Sequence, residues 1–316
     1  KLILYILFCM QVKMYNVVLI ADDNYASYAA VTLQSLFETN KTLYFHIYLI
    51  SCGFSQINTQ KIIKVCRKVN AEFDLITVNA SELDDFENIG EWSKFTFLKL
   101  FIPSKLPLIL DKVLYLDVDL LVVDRLQECF DLDLTGYAIA GVEDCPSCIS
   151  HKERCHIPQE SPYINSGFML INLEEWRKAD SQHLFLKFIN ENKDRMKIND
   201  QDVINSVFAN KIYSLHLRYN VTNHCYGLHY NVIAKHLQQW REARRHPAII
   251  HFTNWNKPWL FETCHEYKSL YKKYLSYISS GEVVPENERR DYLLKVKNSI
   301  KYIFVKFVDM FRLYGK

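Results

Sequence analysis

Asp117-Val118-Asp119 is the stretch of the chain best suited to do chemistry. The run before it, Lys112-Val113-Leu114-Tyr115-Leu116, is short, apolar, β-branched and aromatic, and reads as a buried strand. Two carboxylates follow where the chain leaves that strand. In extended backbone, residues i and i+2 point to one side, so Asp117 and Asp119 can reach one ion. Carboxylate oxygens suit Mg²⁺ or Mn²⁺, ions that also bind phosphate. Taken alone, the pair fits an aspartate-capped surface turn as well.

Other polar groups stand at comparable places. Asp22-Asp23-Asn24-Tyr25 breaks a first strand, and Glu143-Asp144 ends a later one. Asn199-Asp200-Gln201-Asp202 opens a helix; one aspartate would serve as its cap, and three polar residues in a row exceed that need. His251 follows the short apolar strand Ala248-Ile249-Ile250. A lone histidine there is commonly structural, but Lys257 follows, and an ammonium can neutralise a phosphate oxygen. Cys145, Cys148, His151 and Cys155 have the types and spacing of zinc ligands. They lack a second regular pair, which favours a variable loop with free thiols.

The elements that must position these groups alternate. Residues 15–21, 43–50 and 72–78 read as strands, and two helical patterns separate them, the first over Ala29, Ala30, Leu33, Leu36 and Phe37 and the second over 57–69. Such β-α-β-α-β order predicts an α/β fold with a mostly parallel sheet flanked by helices. Ligands in these sheets collect beyond the carboxyl ends of the strands, which places Asp22, Asp23, Asp117 and Asp119 on one rim. Residues 92–103 look helical, 137–142 and 168–172 read as strands, and Leu173 starts a long helix. No glycine-rich dinucleotide fingerprint is present.

The 316 residues allow one large α/β domain with an appendage. With 49% apolar and 23% charged residues the chain is globular, and a formal charge of +2 is too small to imply a nucleic-acid partner. Nine cysteines without regular spacing read as reduced thiols of a cytosolic protein. The apolar run 2–10 is too short to span a bilayer and lacks a small-residue cleavage site, so residues 1–13 read as an extension, with Met14 a sensible initiator. Asn40, Asn79 and Asn220 match the glycosylation sequon, which matters only for a secreted chain.

In this order Ala21-Asp22-Asp23-Asn24-Tyr25, residues 112–119, Asn165-Ser166-Gly167, Ile171-Asn172-Leu173-Glu174-Glu175-Trp176, Asp200-Gln201-Asp202 and residues 251–259 resemble the retaining glycosyltransferases of family 8, among them bacterial lipopolysaccharide galactosyl- and glucosyltransferases. The resemblance covers residues 15–275 and implies a GT-A-type nucleotide-diphospho-sugar transferase fold over residues 14–280. It implies Asp117, Asp119 and His251 as ligands of Mn²⁺ (or Mg²⁺), and UDP-galactose or UDP-glucose as donor. Ala21, Asp22 and Asn24 would contact the nucleoside and Lys257 the diphosphate. Asp144, Asn165, Asp200 and Gln201 would contact the donor sugar, with Gln201 at the position of a nucleophile and Asp200 beside it. The acceptor would be an oligosaccharide or glycolipid. Two residues depart from the pattern. Lys99 stands where arginine is common, which keeps the charge but loses the bidentate fork of a donor clamp. Asn254 replaces a glycine in the last motif, where backbone should pass close to phosphate. These departures leave room for a nucleotide-sugar or glycan-binding protein without transfer activity; a glycogenin-like self-glucosylating enzyme is a further alternative.

The tail, 281–316, carries a separate signal. Residues 289–316 hold eight Lys or Arg and two Asp, while Leu293, Val296, Ile300, Ile303, Phe307, Met310 and Tyr314 recur at three and four. That pattern predicts an amphipathic helix with a basic polar face, able to hold a cytoplasmic enzyme on the anionic inner face of the cytoplasmic membrane. Packing of the same helix on the domain or on a second subunit is the alternative.

Overall fold

A computed structural model describes residues 13–84, 86, 93–144, 148–226, 236–254, 256–278 and 291–314. Along the chain β1 (Met14–Ile20), α1 (Ala26–Thr39), β2 (Tyr44–Ser51), α2 (Gln56–Arg67) and β3 (Glu72–Thr77) carry the alternation seen in the sequence. A 3-10 stretch, Lys94–Phe101, runs into α3 (Ile102–Lys105), β4 (Lys112–Leu116), β5 (Leu120–Val122), α4 (Gln127–Phe130), β6 (Ile139–Glu143), α5 (Cys148–Arg154) and β7 (Ile164–Asn172). Then come α6 (Leu173–Lys178), α7 (Ser181–Asn192), α8 (Asn199–Val207), β8 (Ile212–Ser214), β9 (Val221–Thr222), α9 (Leu237–Arg245), β10 (Ile249–His251), α10 (Lys268–Ile278) and α11 (Tyr292–Tyr314).

The main sheet has the order β3-β2-β1-β4-β7-β6-β8. Every neighbouring pair is parallel except the two made by β7, so the sheet is mostly parallel, with one reversed strand. Its central strands are apolar throughout because both faces are covered. Val17, Leu19, Leu114 and Leu116 pack on one side with Leu33, Leu36 and Val65 of α1 and α2. Val18, Val113 and Tyr115 pack on the other with Trp176, Phe185, Val203 and Ile204 of α6, α7 and α8. Each such fully buried side chain stabilises the fold by roughly 1.5–3 kcal/mol relative to exposure.

Three features of this frame aim at the rim. First, β7 is irregular. Gly141 faces Met169 and Glu143 faces Ile164, so β7 advances five residues while β6 advances two. The extra residues are Asn165, Ser166 and Gly167, which are freed from β6 and re-aimed, a common role of bulges beside functional sites. Second, a small sheet, β5-β10-β9, sets β10 antiparallel to β5 and parallel to β9. Its register places His251 opposite Leu120 and beside Thr222. Third, buried hydroxyls of α1 hold the turn between β4 and β5: Thr32 donates to the carbonyls of Val118 and Leu120, and Ser35 accepts from the amide of Val122.

Several sequence readings change. The helix from Leu173 is two helices, broken where Asp180 adopts a left-handed conformation (φ 49°). The described part of 92–103 is a 3-10 stretch capped by Ser93, followed by the short α3 with Pro103 in its first turn. With three residues per turn, Thr96 and Lys99 stack on one side. Both meet the start of α8: Asn199 donates to the Thr96 hydroxyl, and Lys99 pairs with Asp200. Asn165-Ser166-Gly167 lies within β7 rather than before it.

The tail helix, α11, docks in the opposite sense to an ordinary amphipathic helix. Its polar side meets the domain: Asn298 donates to the carbonyl of Glu262, Lys295 to that of Thr263, and Asp309 accepts from Arg244. The apolar residues Leu293, Val296, Ile300, Ile303, Phe307 and Met310 are all more than half exposed. Asn40 and Asn220 are buried and hydrogen-bonded, so among the three sequons only Asn79 offers an accessible acceptor. Residues 1–12 and 279–290 lie outside the described residues.

Candidate metal and donor site

Asp117, Asp119 and His251 converge. Their ligand atoms lie within 4.8 Å of one another, and among the described residues they form the cluster able to hold a metal ion. His251 Nε2 is 3.1 Å from Asp119 Oδ1 and 3.7 Å from Asp117 Oδ2. The backbone brings them together. The amide of Phe252 donates to the carbonyl of Asp119, and the amide of Asp117 donates to the carbonyl of Gly167. The proton position on His251 follows from its neighbour. Nδ1 lies 2.9 Å from Asn220 Oδ1, an acceptor, so Nδ1 carries a hydrogen and Nε2 is the nitrogen turned toward the carboxylates and left for an ion.

Close approach is required at Gly167. A Cβ there would sit 2.2 Å from His251 Cε1 and 2.6 Å from Asp117 Oδ2. The cluster therefore closes over a bare backbone, which is why glycine stands at this place in the strand. Two carboxylates and an imidazole nitrogen suit Mn²⁺, and Mg²⁺ less well because of the nitrogen. The donor set and the cradle at Gly167 fit the expected ion.

Cations border the cluster on two sides. Lys257 donates to Asp119 Oδ2 and, at 2.8 Å, to the carbonyl of Phe252. Burial would push the Asp119 carboxyl up, but Lys257 and His251 hold it well below the ordinary carboxylate range. Lys99 is buried, with Nζ 2.9 Å from Asp200 Oδ2 and 3.2 Å from Asp117 Oδ1. Burial pulls its pKa down, and the two carboxylates more than reverse this. The Tyr115 hydroxyl donates to the same Asp117 oxygen at 2.5 Å.

A chain of amides links the metal cluster to the expected sugar contacts. Asn220 donates to Asn165 Oδ1 at 2.9 Å, and Asn165 donates to Gln201 Oε1 at 3.2 Å. The Ser166 amide also donates to Gln201 Oε1, and Gln201 Nε2 donates to Asp144 Oδ2 at 2.8 Å. These partners fix which end of the Gln201 amide is which. Behind them Asp202 accepts from both Arg154 guanidinium nitrogens, the Tyr163 hydroxyl and the amides of Lys197 and Ile198. Asn205 pairs with both backbone groups of Ile164. Thus α8 is pinned against the bulged β7, and Gln201 and Asp200 are held in place.

The structure joins Asp117, Asp119, His251, Lys257, Lys99, Asp200, Gln201, Asp144 and Asn165 in one bonded network. Ala21, Asp22 and Asn24 lie outside that network, at the end of β1, where Asp22 caps a turn by accepting from the Tyr25 amide. Beside them Tyr25 is 42% exposed and meets Tyr28 and Trp259 edge-on, while those two rings stack at 3.7 Å. Asn254 has φ 59°, the left-handed backbone that its expected glycine would take, and its amide reaches His224. Among the proposed zinc ligands, Cys145 lies outside the described residues. His151 Nδ1 accepts from Arg154, and Cys155 is buried against the same guanidinium.

Sequence reasoning missed Asn220, which appeared only as a sequon, and the part played by Tyr115 and Ser166. It also missed the depth of Lys99. The usable signal was Gly167, standing at the opening of the strand pattern 168–172.

The chain matches the model of "Glycosyl transferase family 8" over residues 16–263. General stress protein A of Bacillus subtilis (strain 168) is 29% identical over 83% of this chain and 93% of its own length. The lipopolysaccharide 1,2-glucosyltransferase of Escherichia coli (strain K12) is 26% identical over 77% of this chain and 72% of its own. The crystal structure of the galactosyltransferase LgtC with donor and acceptor sugar analogues superposes with a TM-score of 0.74 at 26% identity, covering 86% of this chain and 98% of that one. Its GT-A architecture is the one described above. With the family model spanning most of the chain, the protein belongs to glycosyltransferase family 8.

Proposed function

We propose that the protein is a Mn²⁺-dependent retaining hexosyltransferase that moves galactose or glucose from UDP-galactose or UDP-glucose to a glycan or lipopolysaccharide-type acceptor. The observation that carries this is the convergence of Asp117, Asp119 and Nε2 of His251 at the strand ends, with Lys257 beside them. The activities of the E. coli glucosyltransferase and of the galactosyltransferase LgtC support the sugar class.

The residues then take these roles. Asp117, Asp119 and His251 hold the ion, which supplies Lewis-acid stabilisation of diphosphate charge when bound. Lys257 leaves Asp119 to meet a diphosphate oxygen. Lys99 stays between Asp117 and Asp200 and positions both, rather than clamping the donor directly. Ala21, Asp22 and Asn24 take the nucleoside, and the exposed Tyr25 ring offers its face to the base. Asp144, Asn165 and Asp200 contact the sugar. In the transfer, the bond from the anomeric carbon to the phosphate oxygen breaks. The acceptor hydroxyl bonds to that carbon from the same face, and its proton passes to the leaving phosphate oxygen. Gln201 is neutral, and its amide oxygen already accepts two hydrogen bonds, which favours stabilising the cationic sugar over attacking it.

The transferase domain spans 14–280 in this reading, and the tail places it on the anionic inner face of the cytoplasmic membrane. No helix of the described residues is long and apolar enough to cross a membrane. The outward apolar face of α11, flanked by exposed Lys297 and Lys301, suits a surface contact instead. A panel of UDP-sugars with lipopolysaccharide core acceptors, scored for Mn²⁺-dependent UDP release, tests the reaction. Asp119→Asn and Gln201→Ala are expected to lose transfer, and normal transfer by Asp119→Asn would remove the metal assignment. Binding of UDP without transfer or hydrolysis would mark a binding protein, and glucose on the protein's own tyrosines a self-glucosylating one.

A further inference from the structure

Lys257 and the Tyr25 ring stand at the two ends of the proposed donor site, and one side chain joins them. Lys257, Pro258, Trp259 and Leu260 form a turn, closed by the Leu260 amide donating to the Lys257 carbonyl at 3.1 Å. Proline suits the second place of such a turn because its ring presets φ. Lys257 and Trp259 therefore belong to one short unit with little backbone freedom. Downstream, Lys268 fastens it by donating to the carbonyls of Leu260, Phe261 and Thr263. The Trp259 indole makes three ring contacts. It stacks on Tyr28 of α1, with centroids 3.7 Å apart and planes 8° from parallel. It packs on Tyr271 of α10 at 5.7 Å. Tyr271 is 0% exposed and also packs on Phe252, whose carbonyl accepts from Lys257. One buried ring thus supports both ends of the segment that carries Lys257. The third contact is with Tyr25, met edge-on at 6.3 Å, beside the edge-on contact of Tyr25 with Tyr28. Among the described residues, Trp259 and Tyr28 are the ring partners of this half-exposed tyrosine.

We propose that Trp259 is a positioning residue for the donor. Its ring sets Tyr25 for the base, and through the Pro258 turn it sets the reach of Lys257 to the diphosphate. The two ends of a nucleoside diphosphate are then recognised as one unit. A ring free to turn and an ammonium on an independent loop would act separately, and their contributions would add. Here loss of the indole removes the edge support of Tyr25 and the anchor of the turn together. The inference rests on the donor reading given above and adds to it a residue that acts through Tyr25 and Lys257.

The test is calorimetric titration of the full chain with UDP in the presence of Mn²⁺. Trp259→Leu is expected to weaken UDP about tenfold, the size of one good aromatic contact. Trp259→Phe keeps a ring on Tyr28 and should recover most of that loss. The same Trp259→Leu change is then made in Tyr25→Ala and in Lys257→Ala. In each background it should weaken UDP only about threefold, because one of the two groups it positions is already gone. If Trp259→Leu does not fold, Tyr28→Leu, which removes the stacking partner of the indole, is judged by the same ratios. A full tenfold loss in both backgrounds marks a general structural role and overturns the inference. A reduced loss in only one background confines Trp259 to that end of the donor and overturns the coupling. Wild-type protein that binds UDP, with Trp259→Leu binding it equally well, overturns the inference alone. Wild-type protein that binds no UDP overturns the donor reading and the inference with it.

Discussion

Gly167→Ala adds one methyl group at the closest approach in the site. The new Cβ would lie 2.2 Å from His251 Cε1, 2.6 Å from Asp117 Oδ2 and 3.0 Å from His251 Nε2. Relief needs a shift of about 1 Å, since ordinary contacts begin near 3.4 Å. Neither neighbour is free to give. His251 is 3% exposed and tied to Asn220, and Asp117 is held by Tyr115 and Lys99. Overpacking of this kind costs about 1–3 kcal/mol. At roughly 2–4 °C per kcal/mol, the melting temperature should fall by several degrees. The larger effect is on the ion, because the methyl stands between two of its three ligands. Loss of Mn²⁺ affinity should reach at least the ~10–100-fold seen when ligand-orienting groups are removed. Titration of Mn²⁺ without donor, by electron paramagnetic resonance, reads this directly. Gly53→Ala is the control, since nothing lies within 4 Å of its added Cβ. Unchanged Mn²⁺ affinity in Gly167→Ala, with the melt also unchanged, would refute the geometry on which the site depends.

Three other outcomes are expected. Asn220→Ala releases His251 Nδ1 and should weaken Mn²⁺ about 10–100-fold with the fold retained, as checked by the same titration and by circular dichroism. Lys99→Ala leaves Asp117 and Asp200 facing a vacated site, so urea denaturation should show a loss of about 3–5 kcal/mol. Asp202 carries the pH signature. Burial raises its pKa, and Arg154, the amides of Ile198 and Lys197 and the Tyr163 hydroxyl more than offset this, leaving it below the ordinary aspartate range. A depressed folded-state pKa stabilises above the unfolded value, and that contribution fades as pH falls through the folded one. Asp202→Asn should therefore be less stable at neutral pH, and its deficit should shrink on acidification below about pH 4, as followed by thermal melts. A deficit that stays constant down to low pH would count against this carboxylate's role.

The sequence by itself determined the βαβαβ half of the sheet, the acidic ends of β1 and β4, and the helical tail. These are local matters. Apolar runs such as 112–116 name a strand without reference to the rest of the chain, and spacing at three and four names a helix. The metal triad was legible only because motifs in order resemble a family; spacing alone cannot bring His251 to Asp119 across 132 positions. Tertiary structure decided everything that depends on who faces whom. It placed Lys99 in a buried ion pair instead of an open clamp, made Asn220 the partner that sets the His251 proton, and turned Asn165 and Ser166 inward through a bulge in β7. It also turned the tail, because carbonyls and charges of the domain hold Lys295, Asn298 and Asp309 of α11, with Val305 and Leu313 buried beside them, and leave the stripe from Leu293 to Met310 in solvent. Periodicity tells that a helix has two faces. Only the surface it meets decides which of them is buried.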